Sequence, residues 1–311
     1  MATQQTDTEK TFRAYTKDQG HNYAQNRLKY SLGLYKDIIS HHTSTGGKLE
    51  TAVDLGCGPG TATFAIAPSF SNTIGLDPSE GMISAARSFL SSEDVKGKLR
   101  FEVSTAEDID PALVPGGSVD LITAATCAHW FDMPRFWASA ARVLRPGGTV
   151  AMWCSKANTI HPSTPNAAAI NEATGKIEQE ELAPFFGEGN WLTRNLYSTI
   201  GLPWTVSPAV PEFEEATFYR KEWGVDGNDE SFFENGKMVF DLDTLEKLLG
   251  TASPVARWRE AHPELVGTED DVIRKMRRTI ERLLREAGVE EGKEMVRGGE
   301  AGVLLMVKKR A

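Results

Sequence analysis

Three features of the sequence predict an α/β fold built on a mostly parallel sheet. Between Thr51 and Cys154, short apolar runs alternate with segments of helical period, the pattern left by strands that are covered by crossover helices. A glycine-rich turn, GCGPG at 56–60, directly follows the first apolar run and precedes a helix-forming one. The second apolar run ends on a carboxylate, Asp77, 17 positions beyond the last of those glycines.

The elements follow in chain order. Residues 1–48 are polar and aromatic, with Phe12, Tyr15, Tyr23, Tyr30 and Tyr35. Their later part predicts a helix that ends before HHTSTGGK, a loop on which His41 and His42 lie with no role assigned. TAVDL reads as a buried strand, with a helix starting near Thr61. TIGL is a second strand, ended by Asp77. Pro78 and Ser79 then start a helix whose Met82, Ala85, Ala86, Phe89 and Leu90 share one face. LRFEV and VDLITAA are two further strands. Phe136, Trp137, Ala140, Ala141 and Leu144 mark a helix closed by RPGG before the strand TVAMWC.

Beyond Cys154 the regularity gives way to a segment rich in Trp, Phe, Pro and Gly. EATFYRKEW reads as a late strand and Leu242 to Leu249 as a helix. At TEDD, Thr268 and Asp271 resemble a capping box, opening a helix through Val272, Met276, Ile280, Leu283 and Leu284 to Gly288. Its arginines, including Arg274, Arg278, Arg282 and Arg285, form a solvated face. AGVLLMVKKR completes the sheet.

Charge and composition remove several classes of function. With 43 acidic and 34 basic residues the net charge is -9, which repels phosphate backbones and anionic membranes; no nucleic-acid or membrane partner is expected. The three cysteines, Cys57, Cys127 and Cys154, are too scattered for a disulfide framework and suit a reducing compartment. The start of the chain has no apolar signal core, which together with the cysteines predicts a cytoplasmic protein, monomer or homodimer. No His, Asp and Glu triad has metal-ligand spacing, so no metal is expected.

Gly56, Gly58 and Gly60 sit where side chains would block a ligand from the backbone, and a carboxylate at the position of Asp77 can accept both hydroxyls of a ribose. Together they specify an adenosine-type ligand, although helix capping is an alternative for Asp77 alone. A dinucleotide fingerprint would place glycine at 61, where Thr61 stands, and this disfavours a nicotinamide dehydrogenase.

The GxGxG loop led by Asp54 resembles the first motif of class I S-adenosylmethionine-dependent methyltransferases, and GLDPSEGMISAAR resembles their second. The resemblance implies a Rossmann-like fold: a mostly parallel seven-stranded sheet with helices on both faces, an N-terminal lid and a C-terminal insertion. It divides the chain into a helical lid at 1–48, a core binding S-adenosylmethionine at 49–155, and a substrate cap completing the sheet at 156–311, all within a single catalytic domain. It implies cofactor contacts from Asp54, Gly56, Gly58, Gly60, Asp77, Met82 and Ala124. From STAEDID at 104–110, Ala106 and Glu107 or Asp108 would meet the adenine.

VDLGCGPGTAT, ITAATCAHWFD, LRPGGTVAMW and the N-terminal NYAQNRLKY are similar to a narrower group, the fungal trans-aconitate methyltransferase type. That group writes RPxYP where this chain has Leu28 and Ser31, which bears on the shape of the lid. By this resemblance Tyr23 and Arg27 reach the cofactor's methionine carboxylate, a good match for a planar, always-charged guanidinium. The implied reaction is carboxyl O-methylation of a small di- or tricarboxylic acid. The alternatives are O-, S- or N-methylation of a fungal secondary metabolite, or cofactor binding without catalysis.

His129 and Trp130 are the candidate catalytic residues, just past the fourth strand, where open sheets of this type bind ligands. A carboxylate, with a pKa of about 4, needs no general base, whereas a phenol does. His129 therefore has two readings, base or orienting group. Trp130 either walls the transfer site or packs under the next helix; Phe131 belongs to the core and Asp132 caps that helix. Arg194, Arg220 and Trp191 are candidates to receive an acid's second carboxylate, each with a structural alternative.

Overall fold

The computed structural model describes residues 16–26, 28–90, 98–156, 159–224, 231–234, 238–299 and 301–311. In chain order the elements are α1 (Lys17–Asn26), α2 (Leu32–Ser44), β1 (Thr51–Leu55), α3 (Thr61–Ile66), β2 (Asn72–Asp77), α4 (Glu80–Ser88), β3 (Leu99–Val103), β4 (Val119–Ala125), α5 (Met133–Val143) and β5 (Leu144–Ser155). There follow α6 (Ala167–Ile177), α7 (Glu188–Arg194), β6 (Phe213–Trp223), β7 (Val239–Asp241), α8 (Leu242–Leu249), α9 (Ser253–Ala261), α10 (Val272–Glu286), β8 (Met295–Arg297) and β9 (Gly302–Lys309).

One seven-stranded sheet runs in the order β3-β2-β1-β4-β5-β9-β6. β1 to β5 pair in parallel, with Val53 opposite both Ile74 and Ile122, and β9 is antiparallel to β5 and β6. The strands read as continuous apolar runs because successive side chains enter different cores. Val150, Met152 and Cys154 pack on one face with Phe136, Trp137 and Tyr197; Ala151 and Trp153 pack on the other with Leu34, Ile38 and Phe232. This is a Rossmann-like α/β sandwich.

Polar caps set several helix starts. Ser79 Oγ accepts from the Met82 amide at 3.3 Å, and Asp132 Oδ1 from the Arg135 amide at 3.3 Å. A third start differs from expectation. Asp271 is the N-cap of α10, accepting from the Ile273 amide at 2.9 Å, while the Thr268 hydroxyl donates back to the Leu265 carbonyl at 2.7 Å and so leaves the capping box unmade.

Two boundaries also move. α2 runs through His41 and His42, because the fully buried His42 ring is satisfied by Thr149 Oγ1 and the Lys48 carbonyl, each at 2.8 Å. β5 begins at Leu144, so RPGG lies inside the strand as an irregularity, with Gly147 at φ 75°. The chain after β5 builds a second, two-stranded sheet from β7 and β8, with α6, α8 and α10 packed around Ile160, Leu242, Leu245, Ile280 and Val296. Among the described residues no helix is long and apolar enough to cross a membrane.

Candidate active site

The carboxyl ends of β1, β2 and β4 open into a cavity of about 320 Å³. Gly56 and Gly58 line it where the chain leaves β1. Gly58 has φ 53°, a left-handed conformation that favours glycine, and a methyl group added there would point into open space. Gly60, at φ 91°, does not line the cavity; a Cβ there would come within 2.8 Å of the Phe101 ring. Its lack of a side chain serves packing behind the loop, not ligand approach.

Asp77 lines the cavity from the end of β2. Its Oδ2 accepts from the Gly58 amide and its Oδ1 from the Ser79 amide, each at 2.9 Å. These bonds lock the carboxylate plane against the glycine loop. Met82, Ala106 and Glu107 line the same cavity, Glu107 being held by the Asp132 amide at 3.1 Å. Tyr23, Thr126 and Trp130 also contribute to the wall.

Comparison with known proteins agrees with this geometry. Residues 53–152 match the family described as Methyltransferase domain. The match thus covers the stretch from β1 to β5 that carries the glycine loop and Asp77. The chain is 38% identical over 132 residues to a Dictyostelium discoideum protein named as a methyltransferase, covering 42% of this chain and 45% of that one. It is 35% identical over 132 residues to a Saccharomyces cerevisiae protein named as an S-adenosylmethionine-dependent methyltransferase, covering 42% and 44%. The matches thus span less than half the length of these relatives. A solved structure named as a type II methyltransferase from Anaeromyxobacter dehalogenans shares the fold at TM-score 0.57 and 22% identity, covering 91% of this chain and 97% of that one.

The residues present suit S-adenosylmethionine as a cofactor. The locked carboxylate of Asp77 faces the cavity beside an open glycine turn, and the wall carries Asp77 and Glu107, charges opposite to a sulfonium and an ammonium. Not every expected contact lies on the wall. Ala124 is fully buried on the core side of β4, and its neighbours Ala125 and Thr126 line the cavity instead. Arg27 lies outside the described residues.

Asp54 also lies off the cavity wall. It is 1% exposed, and its Oδ2 and Oδ1 accept from the Thr63 and Thr123 hydroxyls at 2.6 and 2.7 Å, tying β1 to α3 and β4 beneath the glycine loop. Burial pushes its pKa from the ordinary 3.8 up to about 6, against the pull of the two hydroxyls. The folded state therefore binds this proton more tightly than the unfolded chain does. The resulting contribution to stability is fully present below pH 3.8 and is lost as pH rises through about 6. Its size is about 3 kcal/mol at ~1.4 kcal/mol per unit. Asp54→Asn is expected to remove this slope, so that the stability difference between variant and wild type, from urea titrations at a series of pH values, moves in the variant's favour between pH 4 and 6. A constant difference would mean that Asp54 is not the titrating group.

His129 stands one residue before the cavity-lining Trp130, but is not itself on the wall. Its Nδ1 lies 2.8 Å from the hydroxyl of Tyr197, a residue 2% exposed whose phenol burial pushes well above its ordinary range. Nothing local in the chain marks Tyr197, which is 68 positions away. Thr126 was missed as well. It has φ 53°, and its Oγ1 lies 2.7 Å from the Tyr30 hydroxyl; such a strained residue at a strand end marks a functional site only once the backbone is seen.

The candidate acid receptors also lie off the wall. Arg194 pairs with Glu178, Arg220 pairs with Glu222 and donates to the Leu196 carbonyl at 2.9 Å, and Trp191 is 45% exposed. Among the described residues, no group of three or more His, Cys, Asp or Glu is arranged to hold a metal ion.

Proposed function

We propose that this protein transfers a methyl group from S-adenosylmethionine to a small-molecule acceptor bound in the same cavity. The observation that carries the reading is the continuity of that cavity. One part of the wall has the glycine loop, Asp77 and the chain leaving β3 and β4, and the remainder is built from the N-terminal residues Tyr23, Leu28 and Tyr30 and from elements that follow β5. Bound S-adenosylmethionine supplies a methyl group already activated on sulfur. The chain's own task is then to align an acceptor and exclude water. Tyr30, fixed by Thr126 and stacked on Phe233, and Trp130 supply rigid walls for that alignment.

His129 acts in this reading through position. The buried Tyr197 hydroxyl fixes its ring, and with it the turn that presents Trp130 to the cavity. Carboxyl O-methylation, the reaction implied by the trans-aconitate resemblance, needs no base and so agrees with a His129 that only orients. The di- or tricarboxylic form of that substrate fits the wall poorly. Among the described residues the acidic side chains on it are Asp77, Glu107 and Glu178, the last paired with Arg194, and the one basic side chain is Lys156.

The test is incubation with isotopically labelled S-adenosylmethionine and pools of small acids, phenols and other metabolites, followed by mass spectrometry. A labelled product one methyl group heavier than its precursor is expected. Tight S-adenosylhomocysteine binding with no product from any pool would instead make the protein a cofactor-binding module without catalysis.

A further inference from the structure

We infer that the C-terminal wall of the cavity selects an apolar acceptor, an aliphatic or aromatic body carrying a single oxygen nucleophile, and rejects polyanions. The inference rests on the methyl-transfer reading above. Met238, Phe240, Leu245, Leu248, Met276 and Ile280, from the neighbourhood of β7 and from α8 and α10, line this wall. Most of them also belong to the cores beneath it, but Leu248 does not: it is partly exposed, joins no core cluster, and faces the cavity. A leucine whose apolar surface is kept from the core and turned to a cavity is suited to a ligand's apolar surface.

Two further observations limit what the ligand can be. Thr159, beside the wall residue Ile160, lines the cavity with a buried hydroxyl that has no hydrogen-bond partner among the described residues. An orphaned buried hydroxyl is costly unless a ligand or water completes it, and this one can donate to one acceptor oxygen. Among the described residues Lys156 is the one cation on the wall, so each negative charge the ligand brings beyond the first meets no counter-charge there. A monocarboxylate on a hydrocarbon body meets both conditions. One of its oxygen lone pairs forms the new O–CH3 bond as the methyl–sulfur bond breaks, the departing sulfur keeps that bond's electron pair as a neutral thioether, and no proton is released.

The test uses the full chain saturated with S-adenosylhomocysteine, titrated in a calorimeter with butanoate, hexanoate, octanoate, decanoate and trans-aconitate. Affinity is expected to rise about fourfold per methylene along the alkanoate series, with octanoate binding more tightly than trans-aconitate. Leu248→Lys is expected to flatten the dependence on length without changing S-adenosylhomocysteine affinity. Thr159→Val is expected to weaken every alkanoate by about tenfold and leave the increment per methylene intact. Affinities independent of length, or trans-aconitate binding more tightly than octanoate, would overturn the inference while S-adenosylhomocysteine still binds. Failure of S-adenosylhomocysteine to bind at all would instead refute the methyl-transfer reading on which it rests.

Discussion

Asp77→Ala is expected to weaken S-adenosylhomocysteine binding by about 100-fold or more. A hydrogen bond to a charged acceptor contributes about 1.5–3 kcal/mol, and a carboxylate at the end of β2 is placed to accept two from a ribose. The substitution also leaves the Gly58 and Ser79 amides without their acceptor, which loosens the glycine turn. Asp77→Asn keeps one acceptor oxygen and is expected to fall between alanine and wild type. Asp54→Asn is the matched control. Asp54 is the other carboxylate of this strand pair, yet it lies off the cavity wall, so its amide variant should bind within a few-fold of wild type. Calorimetry on the three variants separates the roles; an Asp77→Ala protein that binds within threefold of wild type would remove Asp77 from the cofactor site.

What the sequence discloses about this domain depends on how local each determinant is. β1 and β4 are legible because both their faces are buried, so that TAVDL and VDLITAA need no partner to be recognised. Asp77 is legible because a strand, a carboxylate and a Pro-Ser helix start lie side by side in the chain. His129 fails the same test. Its neighbours along the chain place it at a strand end, but whether it reaches the cavity is decided by Tyr197, 68 residues downstream. The length of α2 is likewise settled by a buried hydrogen bond from His42 to Thr149, 107 residues away. β7 and β8, three residues each, are too short for period-two alternation to register. The glycines divide along the same line: positive φ at Gly58 is a property of the turn, whereas the need for glycine at Gly60 comes from Phe101 on β3.

The part of the cavity wall that follows β5 has a determinant of its own, and Asp271→Ala should expose it with a loss of about 2–4 kcal/mol, because the ion pair it breaks is buried on the carboxylate side but the Arg259 side chain left behind is 30% exposed. Asp271 is fully buried. It accepts from the Arg259 Nε at 2.9 Å and Nη2 at 3.2 Å, from the Gly267 amide at 3.2 Å, and from the Ile273 amide at 2.9 Å as N-cap of α10. Capping alone contributes ~1 kcal/mol, so most of the loss comes from the guanidinium and the second amide left without an acceptor. Asp271→Asn preserves the cap and forfeits the charge, and should lose about half as much. Because Arg259 is the shared partner, Arg259→Ala and Asp271→Ala should be markedly less than additive in the double variant; simple additivity would show that the two residues act separately. The loss should extend to ligand binding, since α10 carries Met276 and Ile280 into the cavity wall. If Asp271→Ala instead unfolds within 1 kcal/mol of wild type, α10 is held by its other contacts, the apolar face through Val272, Ile273, Met276 and Ile280 and the ion pairs of Arg274, Lys275 and Arg277 with Glu246 and Glu181.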